Sequence, residues 1–172
     1  TAPLADESLA EQVLTLIVEA YVSPQDTADA FEQAGLTGYA YAHDAATAWP
    51  TLRELISRDE RLVVLSDDGG SPSWYMNVWD HAFETPFAAK TVDDLACETN
   101  RGSVDNALFI LNHFLTAPLA DESLAEQVNH NPFFMDRARA CQDQLGRLPN
   151  FPTVDFYSIG DLLDVTASLN HP

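Results

Sequence analysis

The sequence predicts an α/β fold in which buried parallel strands alternate with helices. Continuous apolar segments recur along the chain, as is typical of strands that are covered on both faces. Segments that begin and end with helix-capping residues lie between them. The chain has 172 residues, of which 46% are hydrophobic, so it can bury a substantial core. We therefore expect either a doubly wound sheet or part of a (βα)8 barrel.

Five strands are expected from apolar, β-branched and aromatic runs. They cover residues 14–19, 38–43, 61–66, 107–115 and 153–157. Because an eight-unit barrel takes about 250 residues, this strand count predicts an incomplete (βα)8 TIM-type barrel rather than a closed one. Its open sheet edges would favour self-association.

Helices are expected between these strands. They begin at Ser23-Pro24, at Pro50 and at Asn131-Pro132, and Gly35 and Gly146 end the first and the third. Residues 67–100 are irregular and rich in aromatic side chains, and one short helix capped by Thr91 is expected there. Ser158 and Asp161 form an S-x-x-D capping box, which predicts a last helix directly after the fifth strand.

A repeated segment complicates the domain organisation. Residues 1–13, TAPLADESLAEQV, recur without a change at residues 116–128. The rest of the chain is too dissimilar for a solenoid, so a recent duplication, a cloning artefact or a mis-joined gene remain, and we favour the mis-joined gene. We expect an amphipathic helix in both copies and no separate function for the first. The predicted organisation is a duplicated segment at 1–13 followed by the fold over 14–172.

Charge and composition exclude several classes of function. Eight Lys and Arg residues against 27 Asp and Glu residues give a formal net charge of −19, which repels nucleic acid. No apolar run approaches the roughly 20 residues of a membrane span, and no basic and apolar leader is expected. Cys97 and Cys141 would form one disulfide or stay unpaired thiols, with equal weight. A disulfide would favour a secreted or extracytoplasmic protein.

Six segments carry a resemblance to a known family. They are LTLIVEAYV at 14–22, RLVVLSDDGG at 61–70, ETPF at 84–87, CETNRG at 97–102, LFILNHFLT at 108–116 and PNFPTVDFYSIGD at 149–161. In this order they resemble the latter half of the X domain of phosphatidylinositol-specific phospholipase C, whose fold is a distorted (βα)8 barrel. The resemblance implies that residues 14–19 are the fourth barrel strand and 153–157 the eighth. Strands one to three would then be absent from the chain.

The resemblance implies a phosphoric diester hydrolase acting on a lipid or small-molecule phosphodiester. In that family one histidine is the general base and a second the general acid, while Arg or Ca2+ stabilises the phosphate charge. Because those histidines lie on the first strands, we expect the parent protein to be the enzyme and this chain alone to be inactive. The alternative is a non-catalytic binding or scaffold module derived from the same barrel.

The same resemblance implies roles for single residues. Asp155 resembles the eighth-strand carboxylate that orients the general-base histidine, with a capping acid as the alternative. Glu19 resembles the glutamate that binds Ca2+ in metal-dependent members, with a purely structural carboxylate as the alternative. Asn112, His113 and Tyr157 are expected to contact the substrate, because they lie near carboxyl ends of predicted parallel strands. A buried core histidine is the alternative for His113.

Acidic residues depart from the family pattern at one strand end. Asp67 and Asp68 follow the strand at 61–66, where members place Lys or Arg, so the substrate could be another lipid or a soluble diester. Arg101 is the local cation, and a structural salt bridge is its favoured role. Trp74, Tyr75 and Trp79 would either cover the core, which we favour, or make a peripheral membrane contact.

Overall fold

The computed structural model describes residues 12–116 and 119–170. The chain separates into two compact units, Thr1–Asp80 and His81–Pro172. Each contains a sheet of mainly parallel strands with helices, which confirms the α/β class. The described strands form one three-stranded and one four-stranded sheet, and no closed barrel is present among them.

The elements follow one another in a βα rhythm. The strands are β1 (Leu14–Val18), β2 (Leu62–Ser66), β3 (Tyr75–Asn77), β4 (Ala82–Glu84), β5 (Arg101–Gly102), β6 (Leu108–Asn112) and β7 (Phe151–Thr153). The α-helices are α1 (Pro24–Gln33), α2 (Leu52–Ser57), α3 (Val78–His81), α4 (Glu122–Val128), α5 (Phe133–Leu145) and α6 (Leu162–Asn170). Two 3-10 turns lie at Thr37–Tyr39 and Val92–Asp94.

The sheet of the first unit has the order β1-β2-β3, and all pairs are parallel. β2 is buried along its whole length, as its apolar sequence predicts. β1 was expected to be buried as well, but it lies beside β2 at the end of the sheet, and Leu14 and Ile17 are 59% and 46% exposed. Among the described strands β1 has a neighbour on one side only, and its side chains are less covered than those of β2.

The helices of the first unit begin and end where capping predicts. Ser23 accepts a hydrogen bond from the backbone of Asp26 at the start of α1, and Gly35 follows the helix with φ at +70°. Thr51 and Glu54 form a reciprocal capping box at the start of α2. Both helices are therefore confirmed, with α2 starting two residues after Pro50.

The strand expected at 38–43 is wrong. The 3-10 turn Thr37–Tyr39 occupies its beginning, and a single parallel bridge joins Ala40 to Leu62. β3 pairs with the remaining residues of that edge of β2, so a longer strand at 38–43 has no partner. Among these residues Tyr41 alone reaches the core, with 6% of its surface exposed.

The sheet of the second unit has the order β5-β4-β6-β7. β4, β6 and β7 are parallel, whereas the two-residue strand β5 is antiparallel to β4. Residues 67–100 were expected to be irregular, yet they contain β3 and β4. Both strands have three residues, which is too short for a recognisable period. The short turn capped by Thr91 is confirmed at Val92–Asp94.

Aromatic rings and one helix face form the core of the second unit. Phe83 and Phe109 stack with their ring centroids 4.7 Å apart. Phe134, Ala138 and Cys141 of α5 are fully buried, which confirms the predicted apolar face. Each buried phenylalanine contributes roughly 2–3 kcal/mol through the apolar surface it removes from water.

The fifth predicted strand lies earlier than expected. β7 ends at Thr153, which pairs with the last residue of β6, Asn112. Within residues 12–116 and 119–170 no strand pairs with the chain beyond Thr153, and Phe156 adopts a left-handed conformation with φ at +52°, so the strand does not continue to residue 157. Ser158 consequently does not cap the last helix. The first α6 hydrogen bond runs from the Val165 amide to the Asp161 carbonyl.

The two copies of the repeat differ in what the structure shows. Residues 1–11 of the first copy lie outside the described part of the chain, and residues 12 and 13 are not helical. In the second copy α4 is present, with Asp121 accepting hydrogen bonds from Ser123 and Leu124. The predicted helix is thus confirmed for the second copy.

The aromatic segment of the first unit packs inward. Tyr75 is fully buried, and Trp74 stacks on Phe31 of α1 with ring centroids 5.0 Å apart. The role in the core that we favoured for these two residues is confirmed. Within residues 12–116 and 119–170, no helix is long and apolar enough to cross a bilayer.

Candidate functional site

A buried carboxylate organises the carboxyl edge of the second unit's sheet. Glu84, at the end of β4, is 4% exposed. Its carboxylate accepts hydrogen bonds from the Asn112 and Asn100 amides, both at 3.0 Å, and from the Arg101 guanidinium. A buried charge needs such partners. The network fixes the end of β6 against β4.

Arg101 forms the salt bridge that the sequence favoured for it. Its Nε atom donates to Glu84, and the guanidinium carbon lies 4.6 Å from the centroid of the Phe87 ring. A planar guanidinium suits both contacts. The Arg101 side chain remains 44% exposed, so this cation lies at the surface of the network.

Asn112 is held by its side chain and by its backbone. The side-chain amide donates to the Thr85 carbonyl oxygen at 2.7 Å as well as to Glu84, and the backbone amide donates to Thr85 Oγ1 at 3.0 Å. Only 6% of Asn112 is exposed. The amide is therefore rigidly oriented at the sheet edge.

His113 is a fully buried residue directly after β6. Its ring stacks on Phe134 with centroids 4.0 Å apart. Nε2 donates to the Val128 carbonyl oxygen at 2.9 Å, and Nδ1 accepts from Arg137 at 3.2 Å, which defines a neutral tautomer. Burial lowers the pKa of His113 to about 4; the Val128 hydrogen bond opposes this, and the Arg137 charge adds to it. These surroundings are those of a core histidine, the alternative weighed for it.

The low pKa of His113 makes stability pH-dependent. Unfolded His113 has its ordinary pKa of 6.5 and folded His113 one of about 4, so the unfolded chain binds more protons between these values. The contribution of His113 to the free energy of unfolding is fully present above pH 6.5 and is lost as the pH falls through this window. From pH 7.5 to 4.5 we expect His113 to cost about 2.5 kcal/mol of unfolding free energy.

Urea unfolding of the wild type and of His113→Gln at pH 7.5 and pH 4.5 measures this contribution. The change in unfolding free energy between the two pH values should be larger in the wild type, and the difference between the two proteins is the contribution of His113. His130→Gln is the matched control, because His130 lies at the surface, where its ring faces Glu126 and Asp161. Equal pH dependence in the wild type and in His113→Gln would contradict the assignment.

Asp155 and Tyr157 lie in the loop that follows β7. The Asp155 carboxyl is partly buried, and burial raises its pKa. The Asp155 backbone carbonyl accepts a hydrogen bond from Asn129 at 2.9 Å. Tyr157 is 75% exposed. Since β6 and β7 are parallel neighbours, the predicted residues lie at or after strand ends at the same sheet edge: Asn112 ends β6, His113 follows it, and Asp155 and Tyr157 follow β7.

Glu19 belongs to the first unit and follows β1. It is exposed and accepts a hydrogen bond from the Tyr21 hydroxyl at 3.0 Å. The pKa of Tyr21 is raised chiefly by this hydrogen bond, next by the Glu19 charge, and least by the charge of Asp67. Asp67 therefore acts on the same hydroxyl as Glu19.

The two acids that depart from the family pattern have structural partners. Asp67 accepts a hydrogen bond from the Ala20 amide at 3.0 Å, which ties the end of β2 to the end of β1. Asp68 accepts from Ser66 Oγ at 2.8 Å and from the Tyr75 hydroxyl at 3.1 Å. These acids stabilise the carboxyl edge of the sheet at the position where the family that the sequence resembles places a basic residue.

The described side chains do not make up a complete Ca2+ site. A protein-bound Ca2+ takes six to eight oxygen ligands. Within residues 12–116 and 119–170, no group of three or more His, Cys, Asp or Glu side chains is arranged to hold a metal ion. Glu19 is therefore a single ligand candidate, and no step of a reaction is derived through a metal.

Comparison with known proteins identifies the family. The family model PI-PLC X 1 matches residues 6–170. The chain belongs to the PI-PLC X domain family. It is 28% identical over 160 residues to a PI-PLC X domain-containing protein 1 of Arthroderma benhamiae, covering 83% of this chain and 52% of that protein. The resemblance of the six segments is thereby confirmed.

A second protein of the same organism is also similar to the chain. An uncharacterized secreted protein of Arthroderma benhamiae is 26% identical over 148 residues, covering 72% of this chain and 33% of that protein. The chain thus spans about half of the first relative and a third of the second. No solved structure matches the chain significantly.

Sequence reasoning did not assign two groups at this edge. Glu84 ends a strand too short to be recognised, although it opens the quoted segment ETPF. Asn129 follows the second repeat copy, and nothing in the local sequence indicates its contacts with residues 155–161. Both depend on residues distant in sequence.

Proposed function

We propose that this chain is part of a phospholipase C-like phosphoric diester hydrolase that cleaves a lipid or small-molecule phosphodiester. The observation that supports this most is Asp155, a partly buried carboxyl with a raised pKa in the loop after β7. It lies at the carboxyl edge of a parallel sheet, in a chain of the PI-PLC X domain family. Chemistry in parallel α/β folds is typical of this edge.

In this proposal Asp155 orients the histidine that acts as general base. A carboxylate in that role fixes the imidazole tautomer and stabilises the imidazolium that forms when the attacking hydroxyl loses its proton. The partial burial of Asp155 supports the role, since a carboxylate with reduced hydration gains more from pairing with a cation.

Asn112, His113 and Tyr157 would shape the substrate site. Tyr157 presents an exposed ring and hydroxyl, which suits contact with a substrate head group. Asn112 has a rigid amide at the end of β6. His113 is the least accessible of the three, and we assign it to holding this strand end beside the substrate rather than to contact with the diester.

A Ca2+ ion is the proposed cofactor, with Glu19 as one ligand. The exposed Glu19 carboxylate, which acts on the Tyr21 hydroxyl together with Asp67 at the carboxyl edge of the first unit's sheet, supports this. When bound, such an ion would neutralise phosphate charge. The remaining oxygen ligands would have to come from elsewhere.

Two structural features support proposals about the parent protein. The parallel pairs β1-β2, β4-β6 and β6-β7 support β1 as the fourth and β7 as the eighth strand of a (βα)8 barrel, with the three-residue β3 as an additional short strand. Cys97 and Cys141 form a disulfide, and disulfides persist in oxidising compartments. We therefore propose a secreted or extracytoplasmic location.

The test is a turnover assay on the intact parent protein, of which this chain is a part. Three substrates are used: phosphatidylinositol in mixed micelles, a soluble inositol phosphodiester and a glycerol phosphodiester. Each is assayed with Ca2+ and with a chelator. We expect cleavage of at least one of them, with release of the leaving alcohol and recovery of the phosphate as a cyclic diester or, after its hydrolysis by water, as a phosphomonoester. Absence of turnover on all three would overturn the proposal in favour of a non-catalytic binding module.

Glu19→Gln tests the cofactor separately. It should abolish stimulation by Ca2+ and leave the rate in chelator unchanged, because the charge matters only when the ion binds. Glu32→Gln, at an exposed position of α1, is the matched control. Equal Ca2+ stimulation in both variants would contradict the role of Glu19.

A further inference from the structure

Asn129 connects the end of α4 to the loop that carries Asp155. It follows α4 directly and is fully buried. Its Nδ2 atom donates hydrogen bonds to the backbone carbonyls of Asp155 at 2.9 Å and Ile159 at 3.2 Å. Its backbone carbonyl accepts from the Asp161 amide at 2.9 Å. A single buried residue therefore holds the beginning, the middle and the end of residues 155–161.

The two hydrogen bonds donated by Nδ2 fix the orientation of the Asn129 side-chain amide. Its Oδ1 atom is buried and has no hydrogen-bond partner among the described residues. A buried acceptor without a partner is unfavourable. Exchanging Oδ1 and Nδ2 would place Oδ1 against two carbonyl oxygens, which is worse, so the amide keeps both donors on the loop.

The loop held by Asn129 has a backbone that it would not readily adopt alone. Phe156 lies in the left-handed region with φ at +52°, which is costly for a bulky side chain. Gly160 has φ at +85°, and a Cβ atom there would lie 2.4 Å from the Asn129 carbonyl oxygen. Close packing on Asn129 therefore needs glycine at 160.

A further hydrogen bond strengthens this attachment. The backbone amide of Asn131 donates to the Asp161 carboxylate at 2.8 Å. Together with the contacts of Asn129, it joins residues 129–131 to both ends of the loop. The loop conformation consequently depends on residues nearly 30 positions earlier in the chain.

We propose that Asn129 is a positioning residue for Asp155. By holding the Asp155 backbone carbonyl together with the far end of the loop, it keeps the Asp155 carboxyl partly buried at the sheet edge and offsets the unfavourable Phe156 conformation. The catalytic consequence rests on the proposed function, whereas the positioning of the carboxyl does not.

The first experiment follows the Asp155 carboxyl directly. Its 13C resonance is titrated by NMR in the wild type and in Asn129→Ala, with Asp155→Asn used for assignment. Burial raises the pKa of Asp155 in the folded protein, and loss of the two donors would admit water to the loop. We expect the Asp155 pKa in Asn129→Ala to fall towards its ordinary value.

Asn106→Ala is the matched control. The Asn106 Nδ2 atom donates to the Ala82 carbonyl oxygen at 2.8 Å, at the start of β4 and so at the opposite end of the strands. The substitution removes a side-chain amide–carbonyl hydrogen bond away from the loop. The control should be destabilised as well but should keep the wild-type titration of Asp155.

A rescue experiment separates positioning from general destabilisation. Phe156→Gly removes the cost of the left-handed conformation, so the loop needs less support. We expect Asn129→Ala to shift the Asp155 pKa less in the Phe156→Gly background than in the wild type. Equal shifts in both backgrounds would show that the two residues are not coupled and would overturn the mechanism.

Kinetics on the intact protein connect the positioning to catalysis. A misplaced group of this kind costs on the order of 100-fold in rate, and we expect Asn129→Ala to lower kcat by about this factor with little change in KM. An unchanged Asp155 titration in Asn129→Ala would overturn the positioning itself. A shifted titration in a protein whose turnover is insensitive to Asp155→Asn would uphold the positioning and overturn the proposed function.

Discussion

Replacing Asp155 with asparagine is expected to lower kcat/KM of the intact protein roughly 10³–10⁴-fold, the cost of losing a carboxylate that orients a catalytic histidine. The amide has nearly the same shape but cannot stabilise an imidazolium, and it favours the wrong tautomer. The free energy of unfolding should stay the same or rise slightly. Burial disfavours the charged form of Asp155, so removing the charge relieves a cost of folding.

This combination of lost activity and retained stability distinguishes a carboxylate that orients a catalytic histidine from a carboxylate with a structural role. Asp164→Asn is the matched control, since Asp164 is an exposed residue in the first turn of α6. The measurements are kcat/KM on the preferred diester and urea unfolding for the wild type and both variants. An equal loss in the control, or a loss in Asp155→Asn of less than tenfold, would show that Asp155 does not act in the reaction.

The pH dependence adds an independent check with an opposite sign from that of His113. Because the folded pKa of Asp155 is raised, the folded state binds the proton more tightly than the unfolded chain does. Asp155 therefore lowers stability as the pH rises from its ordinary value of 3.8 through the raised one. Asp155→Asn should lose this dependence, while His113 continues to destabilise the protein in acid.

Apolar runs and capping side chains correctly predicted elements whose formation depends on residues close together in the sequence. The buried strand β2 and the start of α1 at Ser23 follow from an apolar run and a capping side chain within a few residues. The segment 38–43 has strand-forming residues, yet β3 takes the edge of β2 that it would need. Strand pairing is decided by residues far apart in sequence, so a single segment cannot reveal it.

In the candidate site, too, features set by neighbouring residues could be predicted from the sequence, whereas features set by distant residues could not. Asp155 was predicted because its position near the end of an apolar run and its resemblance to a family carboxylate are both local. Its placement two residues beyond β7 was not, since that depends on where β6 ends and on Asn129. The partners of Glu84 come from three separate segments, and no spacing rule brings these together.

The disulfide should have the largest effect on stability. Cys97 and Cys141 are separated by 44 residues, and cross-linking a loop of this length lowers the unfolded-state entropy by an amount worth about 4 kcal/mol. Cys141 is fully buried in α5. We expect the unfolding free energy of Cys97→Ala/Cys141→Ala to fall by about 3–4 kcal/mol.

Urea unfolding of the oxidised wild type, the reduced wild type and the double variant measures this effect. Reduction should lower the midpoint of the wild type to near that of the double variant and should leave the double variant unchanged. A wild-type midpoint that does not respond to reduction would mean that the cross-link contributes nothing to stability.

Arg137 provides a second attachment between α5 and the segment that precedes Cys97, so it should limit the effect of losing the disulfide. One turn before Cys141, its guanidinium donates to the carbonyls of Leu95 at 3.2 Å and Ala96 at 3.0 Å, so α5 holds the segment before Cys97 at two places. Arg137→Met alone removes these two hydrogen bonds but keeps the cross-link. In the reduced protein the same substitution removes the hydrogen bonds when the covalent attachment to α5 is already lost. The effect of Arg137→Met on the urea midpoint should therefore differ between oxidised and reduced protein, and additive effects would show that the two attachments act independently.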